Sequence, residues 1–275
     1  DREYPPHRDH IDKMAILQAI THQALDKVLR DHNFQETRDL YNTLPDDHSQ
    51  PHVTNDHIQN LAAIFVRHNA HDVLGVHLIH GHFQIPEDTV LLGNNFEKPE
   101  GRWAKPTKVD TIDLDMVHGH VFMLKDDGVF RAYEYQGGAL PDLSRVGKDF
   151  LPEFADYLRV NGLTNLLGLQ VLGCGSTSMS ELILEGETVM VDGSAIMGCE
   201  ESRTTGWRFE MVDGEPRVCK GQESHSKMTS GNHKVFIDGK PLPRLENVHH
   251  LKQQLAEAGI LSVAKGPGLH VSHGV

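Results

Sequence analysis

Cysteine is scarce in this chain of 275 residues, which has only three, Cys174, Cys199 and Cys219. Their number is odd and their spacing is wide, which argues against the disulfide framework that stabilises many small secreted domains. Reducing compartments keep such thiols free. We therefore expect the protein to reside in the cytoplasm.

Long apolar runs and an excess of positive charge are also missing. No stretch approaches the roughly 20 apolar residues that a helix needs to cross a bilayer, so we expect no membrane partner. The 26 Lys and Arg residues are outnumbered by 39 Asp and Glu, which gives a formal net charge of −13. Because an acidic surface repels phosphate backbones, and no local basic patch is present, we expect no nucleic-acid partner.

Motifs of several enzyme classes are absent as well. The Gly-rich run at 173–176 fits neither the dinucleotide fingerprint G-x-G-x-x-G nor the P-loop. The chain has no G-x-S-x-G nucleophile elbow and no H-E-x-x-H zinc-protease motif. These absences leave nucleotide binding, serine hydrolysis of that type and zinc-protease chemistry without support.

The order of the apolar patterns predicts an α+β fold. We expect a largely antiparallel β-sheet of short, hairpin-linked strands, with N-terminal and C-terminal helices packed on it. No linker divides the chain, so a single domain over residues 1–275 is predicted, with 1–9 and 266–275 as loose tails. The helices are predicted at about 10–30, 35–44, 54–69, 148–160 and 246–258.

Three short turn motifs predict hairpins. Lys125–Gly128 separates the strand candidates 117–124 and 129–135, and Asp213-Gly214 and Asp238-Gly239 are similar turn signals. The segment 93–106, in contrast, is rich in turn residues and predicts a functional or capping loop.

Histidine is the residue in excess, with 20 copies. Val76–Phe83 holds three of them, and its β-branched composition predicts a strand from about 73 to 85. On a strand, His80 and His82 share one face and His77 lies on the other. Two imidazoles of this kind can form half of a zinc site, which needs three or four protein ligands. In a His-rich chain they can equally be buried histidines that bond the backbone.

A second His-Gly-His string, His118-Gly119-His120, lies in the strand candidate 117–124. The two strings can meet across adjacent strands and provide imidazoles that suit zinc or copper. The alternative is that His118 and His120 form the solvent-facing side of a half-exposed hairpin.

Three further residues are candidates for the same site. Cys219 and His225 could complete a set begun by His80 and His82, although their spacing matches no zinc-finger template. Glu87 follows His82 by five residues and could serve as a general base or a carboxylate ligand. The alternatives are a buried thiol, a loop histidine and a solvated glutamate.

The segment from Leu74 to Phe83, LGVHLIHGHF, followed by Glu87, resembles the L-L-H-x-H-F … E string of a large family of fungal proteins of unknown function. The segment Thr204–Phe209, TTGWRF, also resembles that family. The characterised activity connected with such proteins is cyclopenase, a zinc-dependent, hemocyanin-like activity of fungal quinolone-alkaloid pathways. It converts a cyclopenin-type bicyclic benzodiazepine into a viridicatin-type quinolone with loss of methyl isocyanate. The chain lacks the tryptophan-interleaved His motif of true hemocyanins, so the resemblance implies zinc rather than a di-copper oxygen site.

The histidine patterns predict a zinc enzyme with a small-molecule substrate, and the resemblance implies that it is a lyase of fungal specialised metabolism. Zinc would be held by His80, His82, Cys219 and His225 and act as a Lewis acid. Glu87, His118 or His120 would move the proton. The alternative is a non-catalytic intracellular protein with a structural zinc or a His hydrogen-bond network. A metal carrier or sensor is a third class.

Overall fold

The computed structural model describes residues 25–173, 178–231 and 234–262. The predicted tails, and residues 10–24 of the first predicted helix, lie outside these ranges. The α-helices within them are α1 (Leu25–Leu29), α2 (Phe34–Tyr41), α3 (Asn55–Arg67), α4 (Phe150–Val160) and α5 (Val248–Glu257). None of these helices combines the length and apolar character needed to cross a membrane.

The same ranges contain fourteen β-strands. The first seven are β1 (Leu74–Leu78), β2 (Thr89–Phe96), β3 (Gly101–Lys108), β4 (Val117–Leu124), β5 (Phe130–Gly137), β6 (Leu167–Val171) and β7 (Met179–Ile183). The others are β8 (Thr188–Asp192), β9 (Cys199–Trp207), β10 (Phe209–Val212), β11 (Glu215–Val218), β12 (Glu223–Met228), β13 (Phe236–Ile237) and β14 (Lys240–Pro241).

Ten of these strands form a closed barrel in the order β1-β6-β4-β5-β2-β3-β8-β7-β12-β9. The ring closes where β9 pairs with β1 over two positions, Val76 with Trp207 and His77 with Gly206. Two of the pairings, β2 with β5 and β7 with β12, are parallel. The prediction of an open, largely antiparallel sheet with helices packed on it was therefore wrong. Closure depends on pairing segments about 130 residues apart, which local periodicity does not encode.

Several local predictions were confirmed. The strands β4 and β5, β10 and β11, and β13 and β14 form antiparallel pairs around the three predicted turns. In two of these turns both central residues have positive φ, at Asp213-Gly214 and Asp238-Gly239, as the tight hairpin turns that suit twisted strands require. Thr54 caps α3 by accepting a hydrogen bond from the backbone N–H of His57. The predicted loop at 93–106, in contrast, belongs mostly to the β2 and β3 hairpin.

The outer face of the barrel carries the main apolar core. Leu74 and Val76 of β1, with Leu169 and Val171 of β6, belong to a buried cluster that includes the inward faces of α3 and α4. At its centre the Phe65 ring contacts other buried aromatic rings. Burial of this outer face explains why β1, β4 and β6 are buried at every position rather than alternating.

Part of the inner face of the barrel is polar, beside an apolar part that includes Leu91 and Ala104. The Gln170 amide on β6 donates a hydrogen bond of 2.7 Å to Glu223 on β12, although β1 and β9 lie between these strands. Arg102 on β3 likewise donates to Gln136 on β5, across β2, at 2.7 Å. Bonds between strands that are not neighbours place these buried side chains inside the barrel. This part of the interior is therefore a polar, hydrogen-bonded space, which suits a ligand better than a packed core does.

Candidate metal centre

Three histidines and one glutamate converge inside the barrel. His80 and His82 follow the end of β1, Glu181 lies in β7 and His225 lies in β12. In the parallel pairing of β7 with β12, Glu181 and His225 are direct register partners, so their side chains lie next to each other. One ligand atom from each of the four residues lies within 4.8 Å of all the others. This buried group can hold a metal ion.

The distances between the ligand atoms fit a single small cation. His80 Nε2 lies 3.0 Å from His225 Nε2, which lies 2.9 Å from Glu181 Oε2. Glu181 Oε1 lies 3.4 Å from His82 Nε2, and its Oε2 lies 3.9 Å from His80 Nε2. Bonds of about 2.0–2.2 Å to a tetrahedral zinc separate neighbouring ligand atoms by about 3.3 Å. The observed distances spread around that value.

Two of the ring nitrogens that face away from this point, on His80 and His225, have neighbours of the kind found behind metal ligands, whereas the buried His82 Nδ1 has no hydrogen-bond partner among the described residues. His80 Nδ1 lies 2.7 Å from the carbonyl oxygen of Leu78, so the proton of the neutral ring resides on Nδ1 and the lone pair on Nε2. His225 Nδ1 lies 3.1 Å from Asp47 Oδ2. A carboxylate or carbonyl behind an imidazole fixes its orientation and makes it a more basic ligand.

The charges around His225 favour a cation at the convergence point. Burial lowers the pKa of His225, but the contacts with Asp47 and Glu181 outweigh burial and raise its pKa to about 9. Burial also raises the pKa of Glu181, yet the charge of His82 and the contacts with His225 and His80 hold it well below its usual range. Burial likewise raises the pKa of Asp47, but the hydrogen bond and charge of His225 hold it well below its usual range, so both buried carboxylates remain ionised. A divalent cation would neutralise both, whereas a single proton on His225 neutralises only one, and the cation would have to displace that proton from the ring.

The backbone between β1 and β2 places His80 and His82 differently from the predicted strand. That strand was expected to run from 73 to 85, but β1 ends at Leu78. The backbone N–H of Gly81 donates to the carbonyl oxygen of Pro45 at 2.9 Å. A Cβ on Gly81 would lie 3.2 Å from the Leu44 Cβ. A larger residue here would have to displace Leu44 slightly, because the segment passes close to the loop that also carries Asp47.

His77 does not belong to the four-residue group, but it is not remote from it. Its ring stacks on His80 with centroids 5.1 Å apart and planes at 17°. Its Nδ1 lies 3.4 Å from the Tyr133 hydroxyl. Burial, followed by the charge of His80, holds the pKa of His77 well below its usual value. His77 is thus a neutral ring that supports His80 from one side.

Two of the predicted site residues lie elsewhere. Cys219 follows β11, is half-buried, and donates its backbone N–H to the carbonyl oxygen of Arg208. Burial, followed by the charge of Glu210, raises the pKa of its thiol, which disfavours the thiolate that a metal needs. Glu87 lies exposed in the turn before β2. Neither residue belongs to the group of four.

His118 and His120 are both buried, so the solvent-facing alternative does not hold. His118 Nδ1 lies 2.8 Å from the carbonyl oxygen of Gly119. The pairing of β4 with β5 shifts register between Gly119 and Val121, so His120 is the extra residue of a β-bulge. It lines a cavity inside the barrel, and it is not one of the four convergent residues.

Glu181 is the member of the group that the sequence did not reveal. The only signal was a charged side chain at the start of the apolar run 182–184, where burial without a partner is costly. Asp47 gave no signal, because Pro45–His52 has the composition of an ordinary polar loop.

The two segments that carry the family resemblance are neighbours in the barrel. His77 of β1 pairs with Gly206 of β9, which also pairs with Glu223 of β12. A Cβ on Gly206 would lie 2.6 Å from Glu223 Oε2. The absence of a side chain at Gly206 thus leaves the space that the Glu223 side chain occupies inside the barrel.

The burial of His118 makes an acid-side prediction. Burial lowers the pKa of His118. The hydrogen bond with the Gly119 carbonyl raises this pKa, but the charges of Arg102 and Arg30 lower it again. The unfolded chain therefore binds this proton more readily, so the unfolding free energy should decrease as the pH falls below the unfolded value of about 6.5. The slope of the unfolding free energy against pH should therefore be smaller in the His118→Gln variant, by the equivalent of about one bound proton. The variant His249→Gln, which changes an exposed histidine, should keep the slope of the parent. Denaturant titrations between pH 5 and 8 measure this, and identical slopes for H118Q and the parent would refute it.

Comparison with known protein families, curated proteins and solved structures found no match to this chain. The resemblance of the HGHF and TTGWRF segments therefore stays a prediction.

Proposed function

We propose that this protein is a zinc-dependent enzyme that acts as a lyase on a small organic molecule inside the barrel. The observation that carries the proposal is the convergence of His80, His82, Glu181 and His225 within 4.8 Å. The resemblance to fungal proteins adds a substrate class, a cyclopenin-type benzodiazepine. We propose its ring contraction to a quinolone, with loss of methyl isocyanate, as the reaction.

The donor chemistry supports a catalytic role. Structural zinc sites are usually rich in Cys thiolates, whereas catalytic sites use mainly imidazoles with a carboxylate. This group has three imidazoles and one carboxylate. The described thiols, Cys199 and Cys219, are free and are not among its members. Zinc supplies, when bound, a Lewis acid that polarises a carbonyl or epoxide oxygen.

The chain's own residues would divide the remaining work. His80 and His225 are oriented by the Leu78 carbonyl and the Asp47 carboxylate, so their ligand atoms are held before a metal arrives. His120 is the better candidate to move a proton, since Glu87 is exposed. Burial, followed by the charge of Arg102, keeps the pKa of His120 well below its usual value. The ring is therefore unprotonated at neutral pH and can accept a proton, as a weaker base than an imidazole of ordinary pKa.

A turnover assay tests this function. The purified protein is incubated with a cyclopenin-type benzodiazepine, and quinolone formation is followed by absorbance and mass spectrometry. We expect turnover by the zinc-loaded protein, its loss after chelation and dialysis, and its return on addition of Zn²⁺ but not of Mg²⁺, which prefers oxygen ligands. Undiminished turnover by the metal-free protein would contradict a zinc-dependent mechanism. No turnover by the loaded protein would contradict this substrate class.

A structural metal is the second candidate function. Two observations favour it. The group offers four protein ligands, which is the closed set of a structural site, and the side chains of His80, His82, Glu181 and His225 are between 1% and 9% exposed. A structural ion stabilises the fold, so chelation would lower the melting temperature strongly. Such a decrease, together with no turnover of any carbonyl or epoxide substrate, would favour this reading over the enzyme.

A further inference from the structure

A cavity of about 260 Å³ lies inside the barrel, and its lining includes Arg102, His120, Arg208 and Glu223 together with apolar side chains. Two strands, β7 and β12, carry residues of both the cavity wall and the candidate metal centre. Glu223 lies two residues before His225 on β12, and Met179 lies two residues before Glu181 on β7. Residues two apart on a strand point to the same face about 7 Å apart, so the cavity wall is one step along the barrel from the metal ligands.

Two hydrogen-bonding atoms in the cavity wall are unused. Nε of Arg208 is buried and has no hydrogen-bond partner among the described residues. Its Nη2 lies 3.9 Å from Glu223 Oε1, which is too far for a hydrogen bond. His120 is only 5% exposed, and its Nδ1 likewise lacks a partner within the described ranges. Buried polar atoms are nearly always bonded, so two such atoms in the lining of one cavity require a partner inside it, either water or a ligand.

Arg102, which lines the same cavity, forms its hydrogen bonds with groups of the protein itself. Its Nε donates to Gln136 Oε1 at 2.7 Å, and its Nη2 donates to the Tyr135 carbonyl at 3.1 Å. Nη2 also lies 3.1 Å from the Glu134 carboxylate. Arg102 therefore needs no ligand. The unmet demand belongs to Arg208, whose guanidinium can only donate and so requires an acceptor oxygen.

The rest of the wall is suited to an apolar group. Phe96, Met179 and Met190 line the same cavity. Methionine side chains adapt to irregular shapes and contact aromatic rings favourably. Glu97 and Glu100 also line it, and their charges oppose the entry of a polyanion such as a phosphate ester.

We propose that this cavity is a binding subsite for a small molecule with an apolar, ring-sized body and a carbonyl or carboxylate oxygen, which accepts hydrogen bonds from Arg208 and His120. The subsite rests on the proposed function in one respect, since it is where the organic substrate would be held beside the metal. Its binding chemistry does not require the metal, so the two proposals can fail separately.

Fragment binding tests the subsite. The probes are 4-fluorobenzoate, 4-fluorobenzamide and 4-fluorobenzylamine, followed by ¹⁹F NMR titration of metal-free protein, so that direct binding to zinc does not contribute. We expect saturable binding of the benzoate or the benzamide, and at least about tenfold weaker binding of the amine, which has no acceptor oxygen. Preference for benzoate would identify a carboxylate ligand, and preference for benzamide a neutral carbonyl. Absence of saturable binding by both, or equal binding of the amine, would overturn the proposal.

Variants and labels locate the binding. Arg208→Gln should weaken the better probe about tenfold or more, whereas Arg217→Gln, which removes an exposed arginine of β11, should leave it unchanged. Should R208Q not fold, the parent protein labelled with [¹³C-methyl]methionine gives the answer. The probe should shift the signals of Met179 and Met190 but not those of the exposed Met116 and Met211. Parent-like affinity of R208Q, or shifts confined to the exposed methionines, would overturn the proposal.

Discussion

Zinc-loaded parent protein should contain about one ion per chain, and the His80→Ala, His82→Ala double variant should retain almost none after dialysis. The two side chains supply two of the four convergent ligands. A structural zinc contributes about 10–16 kcal/mol in small zinc-binding peptides, so the loss of two ligands should weaken binding by more than about a thousandfold. Elemental analysis of untagged protein, with competition against a chromophoric chelator, measures both the stoichiometry and the affinity.

The abundance of histidine makes a matched control necessary. His52 and His249 are exposed and are not members of the convergent group, so the His52→Ala, His249→Ala variant loses the same number of imidazoles. It should bind zinc like the parent. If both double variants lose metal equally, zinc is held by scattered surface histidines and the interior site is not used. If neither variant loses metal, His80 and His82 are not ligands.

Phe65→Ala is expected to lower the free energy of unfolding by about 3–5 kcal/mol, the usual cost of removing a buried ring. Phe65 is fully buried on α3. Its ring centroid lies 4.9 Å from Phe150, 5.4 Å from Phe154 and 4.8 Å from Phe209. These contacts join α3 and α4 to β10 of the β10-β11 hairpin, and alanine would leave a cavity among rings that cannot all move inward. Guanidinium denaturation monitored by circular dichroism measures the loss.

Val160→Ala is the control for this core variant. Val160 lies at the end of α4 and is 84% exposed, so its truncation should change the unfolding free energy by no more than about 0.5 kcal/mol. A Phe65→Ala protein that unfolds at the denaturant concentration of the parent would contradict the assignment of this cluster as the main core. A changed slope of the transition would instead indicate a change in the denatured state.

Local structure was predictable where local chemistry determines it. Asp213-Gly214 and Asp238-Gly239 predicted tight turns because few residues adopt positive φ, and both turns are present. Thr54 predicted a helix start because its side chain can accept a backbone hydrogen bond. The closed barrel was not predictable in this way. It requires β1 to pair with β9, and β7 to lie parallel to β12, and both are pairings between distant segments.

The candidate site divides along the same line. His80 and His82 were predicted as ligands because they are close in sequence, and His225 was predicted with them. All three belong to the convergent group, but the reason given for their convergence was only partly correct. The pair was expected on a strand face, whereas both residues follow the end of β1. Cys219 was predicted because it lies near His225 in a Gly- and Ser-containing segment, yet Glu181 is the fourth member of the group, through the register of β7 with β12. Register is a property of the assembled sheet, so no spacing in the sequence encodes it.

The two-position pairing of β9 with β1 has a consequence for how metal and fold depend on each other. The ligands come from the end of β1 on one side of this closure and from β12 and β7 on the other. A bound ion would therefore join the two sides of the ring by coordinate bonds, where the backbone pairs over only two positions. Separation of β1 from β9 would then require release of the ion, so the bound metal would stabilise the closed form of the barrel.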